Sequence, residues 1–324
     1  MSASSKRVLL AAPRGFCAGV DRAVNVVREA LARYGPPVYV RHQIVHNTQV
    51  ITELTAAGAI FTDDLDEIPH GARVVFSAHG VSPAVSQHAH RRGLRVIDAT
   101  CPLVSKVHTE ARRFARDDQQ VVLIGHPDHI EIEGTRGHAP EHTHVVDPDD
   151  PDAVDRLELD PDRGVVWLSQ TTLAVDDVAG AVQRLRERVP ALHDPPSDDI
   201  CYASTNRQQA VTTIAPRCEL VLVIGSDNSS NSRRLVEVAL HAGAPAAHLL
   251  DRAAQLRPEW LDAVTTVGVT AGASAPEVLV EDLLAVLATH GFATVELVTT
   301  AEENIRFGLP ASLRPASGQR GNPT

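Results

Sequence analysis

Residues 201–243, CYASTNRQQAVTTIAPRCELVLVIGSDNSSNSRRLVEVALHAG, run through a cysteine, a helical stretch, the apolar run Leu220 to Ile224, a polar loop and a second helix. A short apolar run between helical stretches reads as a buried parallel strand. The polar loop at its C-terminal end is where such sheets gather ligands. The chain then reaches TTVGVTAGASAPE (265–277), a further strand with Ser274 just beyond it.

Working outward, the same order starts at Cys101. PLVSKVHTEARRFARD leads into VVLIG, the loop HPDHIEIEGTRGHAP follows, and GVVWLSQTTLA carries Thr171 and Thr172 at a strand end. It starts again at Cys17, where Val20, Val24, Val27 and Leu31 share one helical face. The strand VYVRHQIV, the loop at His46 and Asn47, and ARVVFSAHG ending at His79 complete that copy. Each copy predicts helix, strand, loop, helix, second strand, second loop, helix and third strand. The expectation is an α/β fold of three pseudo-equivalent α/β domains, 14–100, 101–198 and 199–290, the last completed by an N-terminal strand at 7–13. A C-terminal segment at 291–313 follows, and the tail 314–324, nearly devoid of apolar residues, is predicted to be disordered. The acidic stretch 147–164, DPDDPDAVDRLELDPDRG, reads as a solvated surface loop, because it lacks the ligand spacing and turn glycine of a calcium site.

Bulk composition narrows the function. With 41 acidic against 30 basic residues among 324, the net charge of −11 offers no footprint for nucleic acid or an anionic membrane. The opening MSASSKRVLLAAPRGF has too short an apolar run for a signal sequence, and no stretch is long enough to span a bilayer, so a cytoplasmic location is expected. Four cysteines without a close pair argue for reduced thiols kept for chemistry.

Cys17, Cys101 and Cys201 lie 84 and 100 residues apart, a spacing that predicts three separate units each lending one sulfur to a shared centre. Each stands at a helix start, where unpaired N–H groups and the helix dipole should favour the thiolate. Three thiolates suit an iron-sulfur cluster with one iron left open. Spacing alone leaves zinc nearly level with it, although Gly15, Gly19 and Pro102 favour the tight backbone approach that a bulky cluster needs. Cys218, ahead of an apolar run, reads as a core residue.

Three histidines, His46, His79 and His129, each follow a strand and suit an anion such as diphosphate. Ser229, Ser230, Asn231 and Ser232 precede a helix expected near Arg233, a second anion-binding pattern, and Ser274 adds a hydroxyl or a simple cap. Glu131, expected in a loop, is either a solvated charge or a proton donor, and Thr171 and Thr172 either relay that proton or fill ordinary hydrogen bonds. GxGxxG, GxxxxGK[ST] and HExxH are all missing, so nicotinamide, nucleotide and zinc-protease readings lack their signatures. An iron-sulfur carrier and a histidine-rich zinc hydrolase stand as the alternatives.

PRGFCAGVDRAV, HNTQV, SAHGVSP, DATCPLVSKVH, GHPDHIEIEGTRGHAP, SQTTL, DICYASTNRQQA, IGSDNSSNS and GVTAGASAPE together resemble the 4-hydroxy-3-methylbut-2-enyl diphosphate reductase (IspH/LytB) family. The resemblance covers residues from about 8 to about 280. It implies a trefoil-like arrangement of three domains around a 4Fe-4S cluster held by Cys17, Cys101 and Cys201, with one iron free of protein ligands and a 3Fe-4S form after exposure to air. It further implies the last step of the non-mevalonate (MEP) isoprenoid route, in which the substrate loses its allylic hydroxyl to give isopentenyl and dimethylallyl diphosphates. The substrate hydroxyl would bind the open iron; Glu131 would deliver protons, with Thr171 close to the departing oxygen. His46, His79, His129, Ser229, Ser230, Asn231 and Ser274 would hold the diphosphate. A transient ferredoxin or flavodoxin would donate the electrons.

Overall fold

The structure, a computed structural model, describes residues 6–314, so the tail expected to be disordered, 314–324, lies outside the described residues except for Arg314. β1 (Arg7–Ala12) leads to Cys17, whose sulfur accepts the Val20 N–H at the start of α1 (Ala18–Tyr34). Then come β2 (Val38–Arg41), α2 (Thr48–Ala56), β3 (Ala59–Thr62), β4 (Arg73–Phe76), α3 (Pro83–Arg91) and β5 (Arg95–Asp98). The four strands form a parallel sheet in the order β3-β2-β4-β5.

After Cys101 the pattern repeats. α4 (Pro102–Arg116), β6 (Gln120–Ile124), α5 (Ile130–Arg136), β7 (Thr143–Val146), β8 (Val165–Ser169), α6 (Val175–Arg188) and β9 (Leu192–His193) build the sheet β7-β6-β8-β9. After Cys201 come α7 (Tyr202–Ile214), β10 (Leu220–Ile224), α8 (Ser230–His241), β11 (Ala246–Leu250), β12 (Thr266–Ala271), α9 (Glu277–Thr289) and β13 (Thr294–Thr299). Their sheet runs β11-β10-β12-β1-β13, so β1 fills the place that β5 and β9 hold elsewhere. Within this sheet the C-terminal segment contributes a strand that pairs with β1 over six residues.

Each cysteine therefore follows the fourth strand of one sheet and opens the helix that leads to the next. The chain makes a closed circuit of three units in a trefoil-like arrangement. β6, β10 and β12 are buried along their whole length, as parallel strands covered on both faces by helices must be.

Several sequence expectations change. No α-helix precedes the third strand of any unit; short 3₁₀ turns (65–67, 253–255 and 258–261) or plain turns make that link, and each unit has a fourth strand. The strand expected over 38–45 stops at Arg41, because His42 adopts a left-handed φ of 58° that ends the pairing. The acidic stretch 147–164 is only partly solvated. It inserts Val154 and Leu157 into the apolar core beneath β8 and α6.

The segment beyond β13 crosses back to the first unit, where Leu313 is 4% exposed among core residues of α1 and β2. Truncating a buried leucine costs ~2–5 kcal/mol. Leu313→Ala should therefore lower the denaturant midpoint markedly, whereas Ala substitution of exposed Ile305 should leave it nearly unchanged.

Candidate active site

The three cysteine turns are fixed by equivalent backbone bonds. Cys17 N–H donates to Ala273 O (3.2 Å), Cys101 N–H to Ala78 O (2.9 Å) and Cys201 N–H to Thr171 O (3.0 Å). Each acceptor lies two residues past the end of the third strand of a sheet. All three sulfurs consequently line one cavity at the centre of the circuit.

Gly19 lets the first two approach. A Cβ there would lie 2.7 Å from Cys101 Sγ and 3.8 Å from Cys17 Sγ. Gly15, at φ +63°, gives the turn before Cys17 a conformation that side-chain-bearing residues rarely adopt. Gly19→Ala should keep the fold and reduce metal content sharply, read as iron or zinc per chain after anaerobic purification.

The expectation that helix starts favour thiolates fails for two of the cysteines. Burial pushes Cys101 up to about 12 and Cys201 up to about 11, outweighing the N–H groups that face them. A bound metal reverses that balance, because coordination supplies the positive charge that burial withholds. Three soft donors converging on one cavity, with a glycine where a side chain would block it, fit an iron-sulfur cluster. Cys218 does not join them. Its S–H donates to Ile214 O inside an apolar cluster, as the sequence suggested.

The histidines gather on the same cavity. His46 stacks on His79 at 4.3 Å between ring centroids, and His129 meets both edge-on at 5.6 and 5.9 Å. Burial holds all three well below the usual imidazole value, His46 at about 4 and His129 at about 3, so each is neutral near pH 7 and retains one N–H to donate. His129 is the N-cap of α5.

Ser229, Ser230, Asn231 and Ser274 line the cavity too. The serine-rich helix begins at Ser230 rather than near Arg233: Ser229 is its N-cap and accepts the Ser232 N–H at 3.3 Å. Asn231 Oδ1 accepts the Ala273 N–H at 2.9 Å, so the amide is fixed to the turn that also holds Cys17. Ser274 is not a cap. Its hydroxyl donates to His46 O at 2.7 Å and positions the histidine loop.

Glu131 lies in the first turn of α5, not in a loop, and is 3% exposed. Thr171 donates to it twice, through N–H at 2.6 Å and hydroxyl at 2.9 Å. Burial nevertheless pushes its carboxyl up to about 7, the range of a working proton donor. Two further cavity residues escaped the sequence reading. Ser204 Oγ stands 3.2 Å from Cys201 Sγ and accepts from Asn231 Nδ2 at 3.3 Å; its signal was the serine three residues after the cysteine. Tyr202, beside Cys201, lines the wall without a motif of its own.

Three converging cysteines, a neutral histidine cluster and a buried acid thus share one cavity at the centre of a three-unit α/β fold. The chain matches the LytB protein family over residues 8–288 and belongs to it. It is 62% identical to the 4-hydroxy-3-methylbut-2-enyl diphosphate reductase of Mycobacterium sp. (strain JLS), covering 97% of this chain and 93% of that one. The reductase of Leifsonia xyli is 64% identical over 95% of this chain and 91% of its own. Among solved structures, the E-1-hydroxy-2-methyl-but-2-enyl-4-diphosphate reductase of Plasmodium falciparum matches with a TM-score of 0.92 at 39% identity, covering 95% of this chain and 97% of that one. A structure described as the terminal enzyme of the non-mevalonate pathway matches with a TM-score of 0.61 at 31% identity, covering 88% and 99%. Among the described residues, no helix is long and apolar enough to cross a membrane.

The raised Glu131 value sets a sign for stability. A carboxyl with folded pKa about 7 against 4.5 unfolded binds its proton more tightly in the native state, so its own contribution to stability is fully present below 4.5 and is lost as pH rises through 7. Glu131→Gln removes that loss. Its denaturant midpoint should rise relative to the unsubstituted protein between pH 4.5 and pH 8, and the gap should be flat with pH if Glu131 titrates normally.

Proposed function

We propose that this chain is a 4-hydroxy-3-methylbut-2-enyl diphosphate reductase, removing the allylic hydroxyl to give isopentenyl and dimethylallyl diphosphates at the end of the non-mevalonate route. The observation that carries the reading is the convergence of three sulfurs, three neutral imidazoles and a buried acid on one cavity. Cys17, Cys101 and Cys201 would hold a 4Fe-4S cluster. When bound, that cluster supplies two electrons singly and a Lewis-acidic iron without a protein ligand.

The chain's own residues do the rest. His46, His79 and His129 donate N–H groups to the diphosphate, joined by the hydroxyls of Ser229 and Ser230, by Asn231 and by Ser274. Neutral imidazoles hold the anion by hydrogen bonds. Tight capture of this remote, unreactive end fixes the hydroxymethyl group against the sulfurs. Glu131, which holds its proton up to about neutral pH, passes it to the Thr171 oxygen as the Thr171 hydroxyl, bonded to the carboxyl at 2.9 Å, turns its own proton to the departing oxygen. Two electrons and two protons enter, the carbon–oxygen bond breaks, and water leaves. The electrons would come from a small donor protein such as ferredoxin or flavodoxin.

An anaerobic assay with a chemical reductant tests the reading. Cys201→Ser should lose acid-labile sulfide and turnover together; full turnover would refute the assignment. Glu131→Gln should keep iron content and substrate affinity while turnover falls about 10² to 10⁴-fold, the usual range for a lost general acid. Equal loss of affinity and rate would make the carboxyl structural.

A further inference from the structure

The helix that follows each cysteine carries a cation five or six residues on: Arg22 after Cys17, Lys106 after Cys101 and Arg207 after Cys201. None donates to its own cysteine turn, although Arg207 Nη1 also bonds Ala203 O (2.9 Å) on its own helix. Arg22 Nη1 donates to Ala99 O (2.9 Å) and Thr100 O (3.0 Å), the two carbonyls before Cys101. Lys106 Nζ donates to Ser197 O (2.9 Å), Asp198 O (2.7 Å) and Asp199 Oδ1 (3.0 Å), in the turn before Cys201. Arg207, 0% exposed, donates to Gly15 O through Nε (3.0 Å) and Nη2 (2.7 Å) and to Phe16 O (3.3 Å), the residues before Cys17.

The pattern closes on itself. We infer that Arg22, Lys106 and Arg207 form a cyclic set of clamps in which the cation on each cysteine helix positions the next cysteine of the ring, preorganising all three sulfurs before any cluster arrives. The cluster itself rests on the function proposed above; the clamps rest on the contacts alone.

Chemistry supports a positioning role. A carbonyl accepts a hydrogen bond from a cation more strongly than from a neutral donor, and a buried cation needs such acceptors. The bond at each cysteine N–H holds the turn at one end, the clamp holds the residues just before it, and cluster ligands must be held to fractions of an ångström. The C-terminal segment backs two of the clamps. Glu303 pairs with Arg207 (2.9 Å), and Gly308 O accepts from Arg22 Nε (2.9 Å). Asp199 pairs with Lys106 and also accepts the Ser169 N–H (2.9 Å), tying the third clamp to the end of β8. These are positioning residues, since none lines the cavity.

The direction of the ring gives a test that general destabilisation would not mimic. Hydrogen–deuterium exchange is measured on metal-free full-length protein for Arg22→Met, Lys106→Met and Arg207→Lys. Each variant should speed exchange in the following cysteine's turn, 98–101, 197–201 and 13–17 respectively, by about ten-fold, the loss expected for one or two charge-assisted bonds. The turn of the cysteine that precedes each cation on its own helix should change far less. Lys106, partly exposed on α4, keeps the test valid if either arginine variant fails to fold. Anaerobic reconstitution then reads the consequence: each variant should take up iron and sulfide more slowly than the unsubstituted protein. Unchanged exchange in the downstream turns, or equal change in all three turns, overturns the ring. Absence of sulfide from the unsubstituted protein would refute the cluster and leave the exchange result to decide the clamps.

Discussion

Everything in this molecule depends on the bond between each cysteine N–H and a carbonyl two residues past a strand end. The strands are buried and parallel, so their C-terminal ends cannot drift. A cysteine hung from such an end inherits that rigidity, and the helix it opens carries the chain to the next sheet. Placing β1 in the third sheet closes the circuit, because the first cysteine then hangs from the unit built last. A linear chain thus obtains threefold placement of its sulfurs, and no sulfur needs a close partner in sequence.

Chemistry enters where the repeat is broken. Glu131 and Asn231 stand six residues beyond Gly125 and Gly225, the glycines that follow β6 and β10. Both accept a backbone N–H from the turn that holds a cysteine, Thr171 in one case and Ala273 in the other. Only Glu131 can carry a proton, and its burial keeps that proton near neutral pH. At the N-cap of the following helix, His129 in one unit corresponds to Ser229 in another. The same backbone geometry therefore presents an imidazole on one side of the cavity and a hydroxyl on the other.

The cysteines and histidines were legible in the sequence because each sits beside a strong local signal, a helix start or the end of an apolar run. The long apolar runs around β6, β10 and β12 likewise announced buried strands. Properties set by distant contacts were not legible. The rise of Cys101 and Cys201 reflects burial by other units, which overrides the local helix start. Ser274 holds the His46 loop from 228 residues away, and the partnership of β1 with β12 and β13 spans nearly the whole chain. The serine-rich helix starts earlier than its sequence predicts for a local reason: serine and asparagine favour turns and caps, so their run reads as loop.

The central claim is that three sulfurs from three units hold one cluster with a single iron free of protein ligands. Mössbauer spectroscopy of anaerobically prepared, iron-57-labelled protein, with and without the allylic diphosphate, tests it most directly. The account predicts a spectrum in which one iron in four is distinct and changes when the diphosphate is added. A spectrum with all irons alike and indifferent to the diphosphate, or a preparation holding zinc without sulfide, would contradict it.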